Sequence, residues 1–252
     1  LPAFSQSPEM QWADSSLLGR PFAKDPSVIR FGGRYLMYFS LPGAPDSTTG
    51  WSVGIAESRD LQNWTRIGEV APAAEYEKKG LAAPQALVVD GKVHLFYQTY
   101  GNGPKAAICH AVSSDGLRFT RDATNPIWHP TGTWTAGRAI DAEVVEFQDK
   151  WFLYAATRDP GMKIQMLTGA WAPKAKGFSR NAWTQIGDGP LLKPELPWER
   201  DCIEAPSVVR RGDELIMFYA GAYNNAPQQI GVATSRDGMH WTRASQEPFL
   251  RS

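Results

Sequence analysis

The sequence predicts an all-β chain folded as a single β-propeller. Three observations carry this: a hairpin-bearing unit occurs four times, most copies continue into the same strand-turn-strand pattern, and no amphipathic segment is long enough for a major helix. The four copies are AKDPSVIRFGGRYLMYFS (23–40), LAAPQALVVDGKVHLFYQT (81–99), AIDAEVVEFQDKWFLYAA (139–156) and CIEAPSVVRRGDELIMFYA (202–220). Aligned on Pro26, Pro84, Ala142 and Pro206, they recur at intervals of 58, 58 and 64 residues. Each runs from a short polar or Pro-containing start through an apolar stretch to a turn pair, then into a second apolar stretch ending in an aromatic residue.

The turn pairs are Gly32-Gly33, Asp90-Gly91, Gln148-Asp149 and Gly212-Asp213. Gly-Gly and Asp-Gly tolerate the positive φ of tight hairpins, so each copy reads as a β-hairpin. Runs such as LIMFY (215–219) are continuously apolar, as expected of strands covered on both faces. After three of the hairpins comes an alternating strand and a Ser-containing turn with Asp60, Asp115 or Asp237, followed four residues later by Trp64, Phe119 or Trp241. The third copy is irregular there, with a short strand expected near 163–167 and an insertion at 170–183 before the outer strand. Four strands per unit at this period define propeller blades. Four units fit, and a fifth at the same spacing would start past Ser252. The ring is thus four-bladed, or has a fifth blade beyond that residue, or draws one from residues 1–19.

Lysine plus arginine and aspartate plus glutamate number 26 each, so no net field gathers nucleic acid or an anionic membrane face. No apolar run approaches the roughly 20 residues that span a bilayer, so the expectation is a soluble protein with neither nucleic-acid nor membrane partners. The chain opens on Leu1 rather than methionine, and a removed leader would make it secreted or periplasmic. Cys109 and Cys202 are too few for a disulfide framework and read as two buried thiols. The four histidines lack metal-ligand spacing. Nothing in the sequence sets the oligomeric state.

The start of a propeller's inner strand faces one mouth of the central channel, so equivalent positions converge there. Those positions are Asp25, Ala83, Asp141 and, one residue earlier in register, Glu204. An acid beside proline or alanine can simply cap a turn. Three of them crowded at one mouth repel and raise one another's pKa, and acids with separated pKa values are what general acid/base chemistry requires.

The segments KDPSVI, AIDAEVV and IEAPSVV are similar to the three catalytic motifs of glycoside hydrolase family 43 and its relatives in the family 43/62 and 32/68 clans. The resemblance extends over roughly residues 20–245. It implies a five-bladed propeller, with residues 1–252 forming one catalytic domain whose fifth blade is incomplete or lies past Ser252. It also implies an inverting hydrolase acting on an arabinosyl, xylosyl or galactosyl bond of a plant- or algal-type glycan or oligosaccharide. Carried over residue by residue, Asp25 would activate water, Glu204 would protonate the leaving oxygen, and Asp141 would hold and tune that acid. Inversion calls for base and acid roughly 6.5–9.5 Å apart. No cofactor is implied; a central calcium ion occurs in some relatives, but no acidic cluster here demands it. Two departures stand out: Asp-Ala replaces the usual Asp-Pro in AIDAEVV, and no fifth blade is visible.

Candidate substrate contacts are Trp51, Tyr100, Trp128, His129, Arg158 and Tyr223, with Trp12, Trp134 and Trp198 as further loop tryptophans. Trp64, Trp151 and Trp241 fall at repeat positions and read as packing residues. Rival readings are a retaining fructan- or sucrose-type hydrolase, a phosphorylase drawing on Arg138, Arg158 and His129, and a non-catalytic glycan-binding propeller. Arg158-Asp159-Pro160 spells a fructan-clan motif but follows a second strand instead of opening a blade. The four-residue spacing from aspartate to aromatic argues against a sialidase.

Overall fold

A computed structural model describes residues 12–15, 20, 22–43, 50–223 and 226–251. These build four sheets of four antiparallel strands each. Blade 1 holds β1 (Lys24–Phe31), β2 (Arg34–Leu41), β3 (Ser52–Ser58) and β4 (Thr65–Val70). Blade 2 holds β5 (Leu81–Val89), β6 (Lys92–Thr99), β7 (Ile108–Ser113) and β8 (Thr120–Arg121). Blade 3 holds β9 (Ile140–Phe147), β10 (Lys150–Arg158), β11 (Gln165–Pro173) and β12 (Thr184–Gln185). Blade 4 holds β13 (Ile203–Arg211), β14 (Glu214–Gly221), β15 (Gln229–Ser235) and β16 (Thr242–Arg243). No helix among the described residues is long and apolar enough to cross a membrane.

All four turn pairs lie between first and second strands, and Gly32, Gly33, Asp90 and Gly91 all take the positive φ that such hairpins need. The Ser-Asp turns recur with the same bonding. In blade 2, Ser113 Oγ accepts from the Gly116 N–H at 2.8 Å, and Asp115 Oδ1 accepts from Leu117 and Arg118 N–H at 2.8 Å each. Those amide donors, with Ser113, hold the Asp115 carboxyl well below its usual range. In blade 3 the third strand runs on to Pro173, so the irregular stretch is shorter than the sequence suggested: two 3₁₀ turns, Lys174–Lys176 and Arg180–Ala182.

The apolar runs face their neighbours. Leu36, Tyr38 and Ile55 of blade 1 pack with Leu95, Tyr97 and Ala111 of blade 2, and Phe152 and Tyr154 of blade 3 pack with Leu215, Met217 and Tyr219 of blade 4. Each fully buried aliphatic or aromatic side chain of this kind contributes about 1.5–3 kcal/mol. Blades also lock across their turns: Tyr38 donates to the Gly116 carbonyl at 2.9 Å and Tyr154 to the Gly238 carbonyl at 2.8 Å. Cys109 and Cys202 are buried and unpaired.

The expectation of five blades is corrected: the described residues form four. The fifth was inferred from a related fold, whereas the repeat count read from this chain matches its sheets one for one. Inner strands are stapled in order. Ser27 Oγ accepts from the Ala86 N–H (2.9 Å), Gln85 Nε2 donates to the Val144 carbonyl (3.3 Å), and Glu143 Oε1 accepts from the Val208 N–H (3.1 Å). Val28 on β1 and Val209 on β13, at the two ends of that series, stay 46% and 49% exposed. Of residues 1–19, which the sequence offered to a further blade, all but 12–15 lie outside the described residues.

Candidate active site

Each inner strand carries one extra residue near its start. Lys24 pairs with Ser40 and Ser27 with Tyr38, so two residues of β1 oppose one of β2; the same shift recurs in β5, β9 and β13. The first residue of every bulge has positive φ: Asp25 (53°), Ala83 (48°), Asp141 (55°) and Ala205 (50°). A bulge of this kind bends the strand and re-aims its side chains, and it is uncommon for non-glycine residues. Aspartate tolerates this conformation better than alanine. Glu204 sits one position before its bulge, where blade 1 has Lys24.

Asp25, Asp141 and Glu204 thereby line one cavity of about 440 Å³, which shares Asp25, Asp141 and Ala205 with the central channel between the inner strands. Asp25 Oδ2 accepts from Ser40 Oγ at 2.7 Å, and Lys24 Nζ stands 3.7 Å from its other oxygen. Ser40 Oγ also receives the Ala83 N–H at 2.7 Å, so one hydroxyl ties Asp25 to the bulge of the next blade. Gln98 repeats the device, taking the Asp141 N–H at 2.7 Å. Glu204 is held by two amides: Gln228 Nε2 donates to Oε1 at 2.8 Å, and Gln165 Nε2 donates to Oε2.

Burial, then the charges of Glu204 and Asp25, push Asp141 up to about 7, against the pull of Lys24 and Arg138. Burial also raises Glu204, although Gln228, Lys24, Arg138 and Gln165 all favour its ionised form. Asp141 and Glu204 therefore titrate as an interacting pair, and near neutral pH the cavity holds a proton that a carboxyl group can donate.

Of the contacts expected from sequence, Tyr100, Arg158 and Tyr223 line this cavity. Trp51 stands behind it, its ring 4.8 Å from Tyr100. Trp128 and His129 line a separate cavity of about 500 Å³ with Ile127, Gly137 and Arg180. Backbone bonding of Trp128 to Ile108 turns its ring into the core between blades 2 and 3, which separates this pair from the acids. Trp198 stacks on Tyr219, and Trp12 packs edge-on against Phe39. Sequence reasoning missed Lys24, Gln98, Gln165 and Gln228. Lys24 was readable, because the repeat alignment puts it in register with Glu204. Gln98 stands at the repeat position of Ser40, whereas Gln165 and Gln228 have no repeat to flag them. No group of three or more His, Cys, Asp or Glu side chains among the described residues could hold a metal ion.

Fold and cavity together define a β-propeller with a carboxylate-lined pocket at the starts of its inner strands. Residues 18–251 match Glycosyl hydrolases family 43, and the chain belongs to that family. It is a glycosidase acting on carbohydrate. Among curated proteins it is 27% identical over 221 residues to a 1,2-β-oligomannan phosphorylase of Thermoanaerobacter sp. (strain X514), covering 83% of this chain and 67% of that one. Among solved structures it resembles an endo-1,4-β-xylanase from Bacteroides thetaiotaomicron VPI-5482 (TM-score 0.69, 23% identity, 90% of this chain and 74% of that one). An α-L-arabinofuranosidase from Lactobacillus brevis is similar to the same degree (TM-score 0.69, 19% identity, 91% and 74%). At these identities the structural likenesses speak to the fold.

Proposed function

We propose that the chain is an inverting glycoside hydrolase of a plant- or algal-type glycan or oligosaccharide, removing an arabinosyl, xylosyl or galactosyl unit. One observation carries the reading: acids from three blades open into one cavity, and each is held differently. Glu204, raised by burial and fixed between two amides, protonates the leaving oxygen. Asp25, oriented by Ser40, accepts the proton of the attacking water. Asp141 titrates together with Glu204, and in its carboxylate form it favours the proton on Glu204 and faces the positive charge developing at the anomeric carbon.

A second reading, phosphorolysis, has one observation in its favour: Arg138 and Arg158 share this cavity with the acids. A screen of nitrophenyl arabino-, xylo- and galactosides, furanoside and pyranoside, with and without phosphate, tests both. Hydrolysis predicts turnover in phosphate-free buffer that Glu204→Gln lowers most for poor leaving groups. Turnover only when phosphate is added would overturn it.

A further inference from the structure

We propose that Arg138 and Arg158 form an oxyanion subsite beside the acids, accepting either the carboxylate of an acidic sugar or a phosphate group. The proposal rests on the cavity being the active site, and it extends the pairing of Arg138 and Arg158 with phosphate to the carboxylate of an acidic sugar.

The arginines that brace the blades have carboxylate partners: Arg121 bonds Glu77 at 3.0 Å and Arg243 bonds Glu199 at 2.8 Å. Arg138 and Arg158 are different. Both donate to the same neutral atom, Gln165 Oε1, at 2.7 and 2.8 Å, and neither forms an ion pair with a described carboxylate. A guanidinium has five N–H donors in a fixed fork. Among the described residues Arg138 commits one, and Arg158 adds only a 3.4 Å contact to the Met162 carbonyl. Both line the cavity and are half-buried.

Two like charges converging on one amide oxygen repel each other, and burial together with Arg158 lowers the pKa of Arg138. A neutral glycan offers hydroxyl acceptors to these N–H groups but no negative charge to offset theirs. An oxyanion would relieve the repulsion and accept paired N–H donors, the geometry in which arginine binds carboxylate and phosphate best. The fork is also braced: the Arg158 guanidinium lies 5.3 Å over the Tyr223 ring, and the Tyr223 hydroxyl donates to the Lys163 carbonyl. Gln165 bridges the subsite to the chemistry, because its amide nitrogen donates to Glu204 while its oxygen receives both arginines. Lys24, Arg138 and Arg158 line the cavity beside Asp25, Asp141 and Glu204, so its cations equal its carboxyl groups in number, and each carboxyl that carries a proton leaves the cavity more positive.

Binding tests this independently of turnover. Titration calorimetry of the intact chain with D-glucuronate, inorganic phosphate and neutral xylose is expected to show at least one anion binding tenfold or more tightly than xylose. Arg138→Gln and Arg158→Gln should each cut that preference at least tenfold, and Arg158→Lys, which keeps charge but loses the fork, should recover only part of it. Circular dichroism checks that each variant is folded, and the wild-type comparison stands even where one is not. Anions binding no more tightly than xylose, or arginine variants binding them as wild type does, would overturn the proposal.

Turnover separates the two sources. A uronosyl substrate cleaved at least tenfold faster than its neutral counterpart identifies a sugar carboxylate. Release of glycosyl phosphate identifies phosphate: its oxygen bonds the anomeric carbon, the glycosidic C–O bond breaks, and the leaving oxygen takes the Glu204 proton. Tight anion binding without turnover of any glycoside would leave the subsite standing and remove the hydrolase reading. Turnover of neutral glycosides without anion binding would do the reverse.

Discussion

Blades 2 and 4 share a buried latch and differ where the chemistry lies. In blade 2, Glu77 is fully buried, receives Tyr97 Oη at 2.5 Å and Arg121 Nε at 3.0 Å, and accepts the Ala73 and Ala74 N–H groups. In blade 4, Glu199 is fully buried, receives Tyr219 Oη at 2.7 Å and Arg243 Nε at 2.8 Å, and accepts the Glu195 and Leu196 N–H groups. Burial pushes both glutamates up, but the arginine and tyrosine donors outweigh it and leave both below the usual carboxylate range. Each latch fixes the loop that leads into an inner strand. Blade 2 then presents Ala82-Ala83, whereas blade 4 presents Glu204-Ala205. The repeat supplies the frame, and single residues that break it supply the acids that line the cavity.

The comparison sharpens most at the acids. Glu204→Gln and Asp25→Asn are expected to lower kcat by about 10²–10⁴-fold with little change in melting temperature. A comparable collapse of stability would make them structural instead.

Next come the latches. Arg121→Ala and Arg243→Ala each strand a buried glutamate and should cost about 3–5 kcal/mol in denaturant unfolding. Activity measured well below the melting temperature should drop only for Arg243→Ala, because the Glu199 carbonyl accepts the Cys202 N–H two residues before Glu204. Equal losses from both would break the distinction between frame and site.

Asp141 comes third. Its folded pKa of about 7 lies above the ordinary carboxylate value, so the native state binds more protons than the unfolded chain between about pH 4 and 7. Stability should therefore fall as pH rises through that window. Asp141→Asn should raise the melting temperature at pH 8 and change it little at pH 4. It should also move the alkaline limb of kcat/KM to lower pH, since Glu204 loses the neighbouring charge that helps it keep its proton.

The smallest effect belongs to Ala83, which holds φ at 48° with no acid to present. Ala83→Gly should stabilise by up to about 1 kcal/mol and leave kcat unchanged.

Much of this frame was legible. The turn pairs, the Ser-Asp turns and the second-strand aromatics are local patterns repeated at one period, so each copy vouched for the others. The three acids could be placed in one pocket because all stand at the starts of inner strands, Asp25 and Asp141 in the same register and Glu204 one residue earlier. Trp128 and His129 were misplaced because a loop residue has no repeat partner to fix its direction. Gln165 and Gln228 were missed because their importance comes from reaching Glu204 across the fold. The Glu77 and Glu199 latches escaped notice although they recur, since each glutamate lies outside the hairpin unit used for alignment.

The most direct test of the central claim is the configuration of the first product, followed by proton NMR during early turnover of a nitrophenyl glycoside that the enzyme accepts. With Asp25 activating water opposite Glu204, the first-formed sugar should have the anomeric configuration opposite to that of the substrate. A first product with the substrate's own configuration would contradict that assignment.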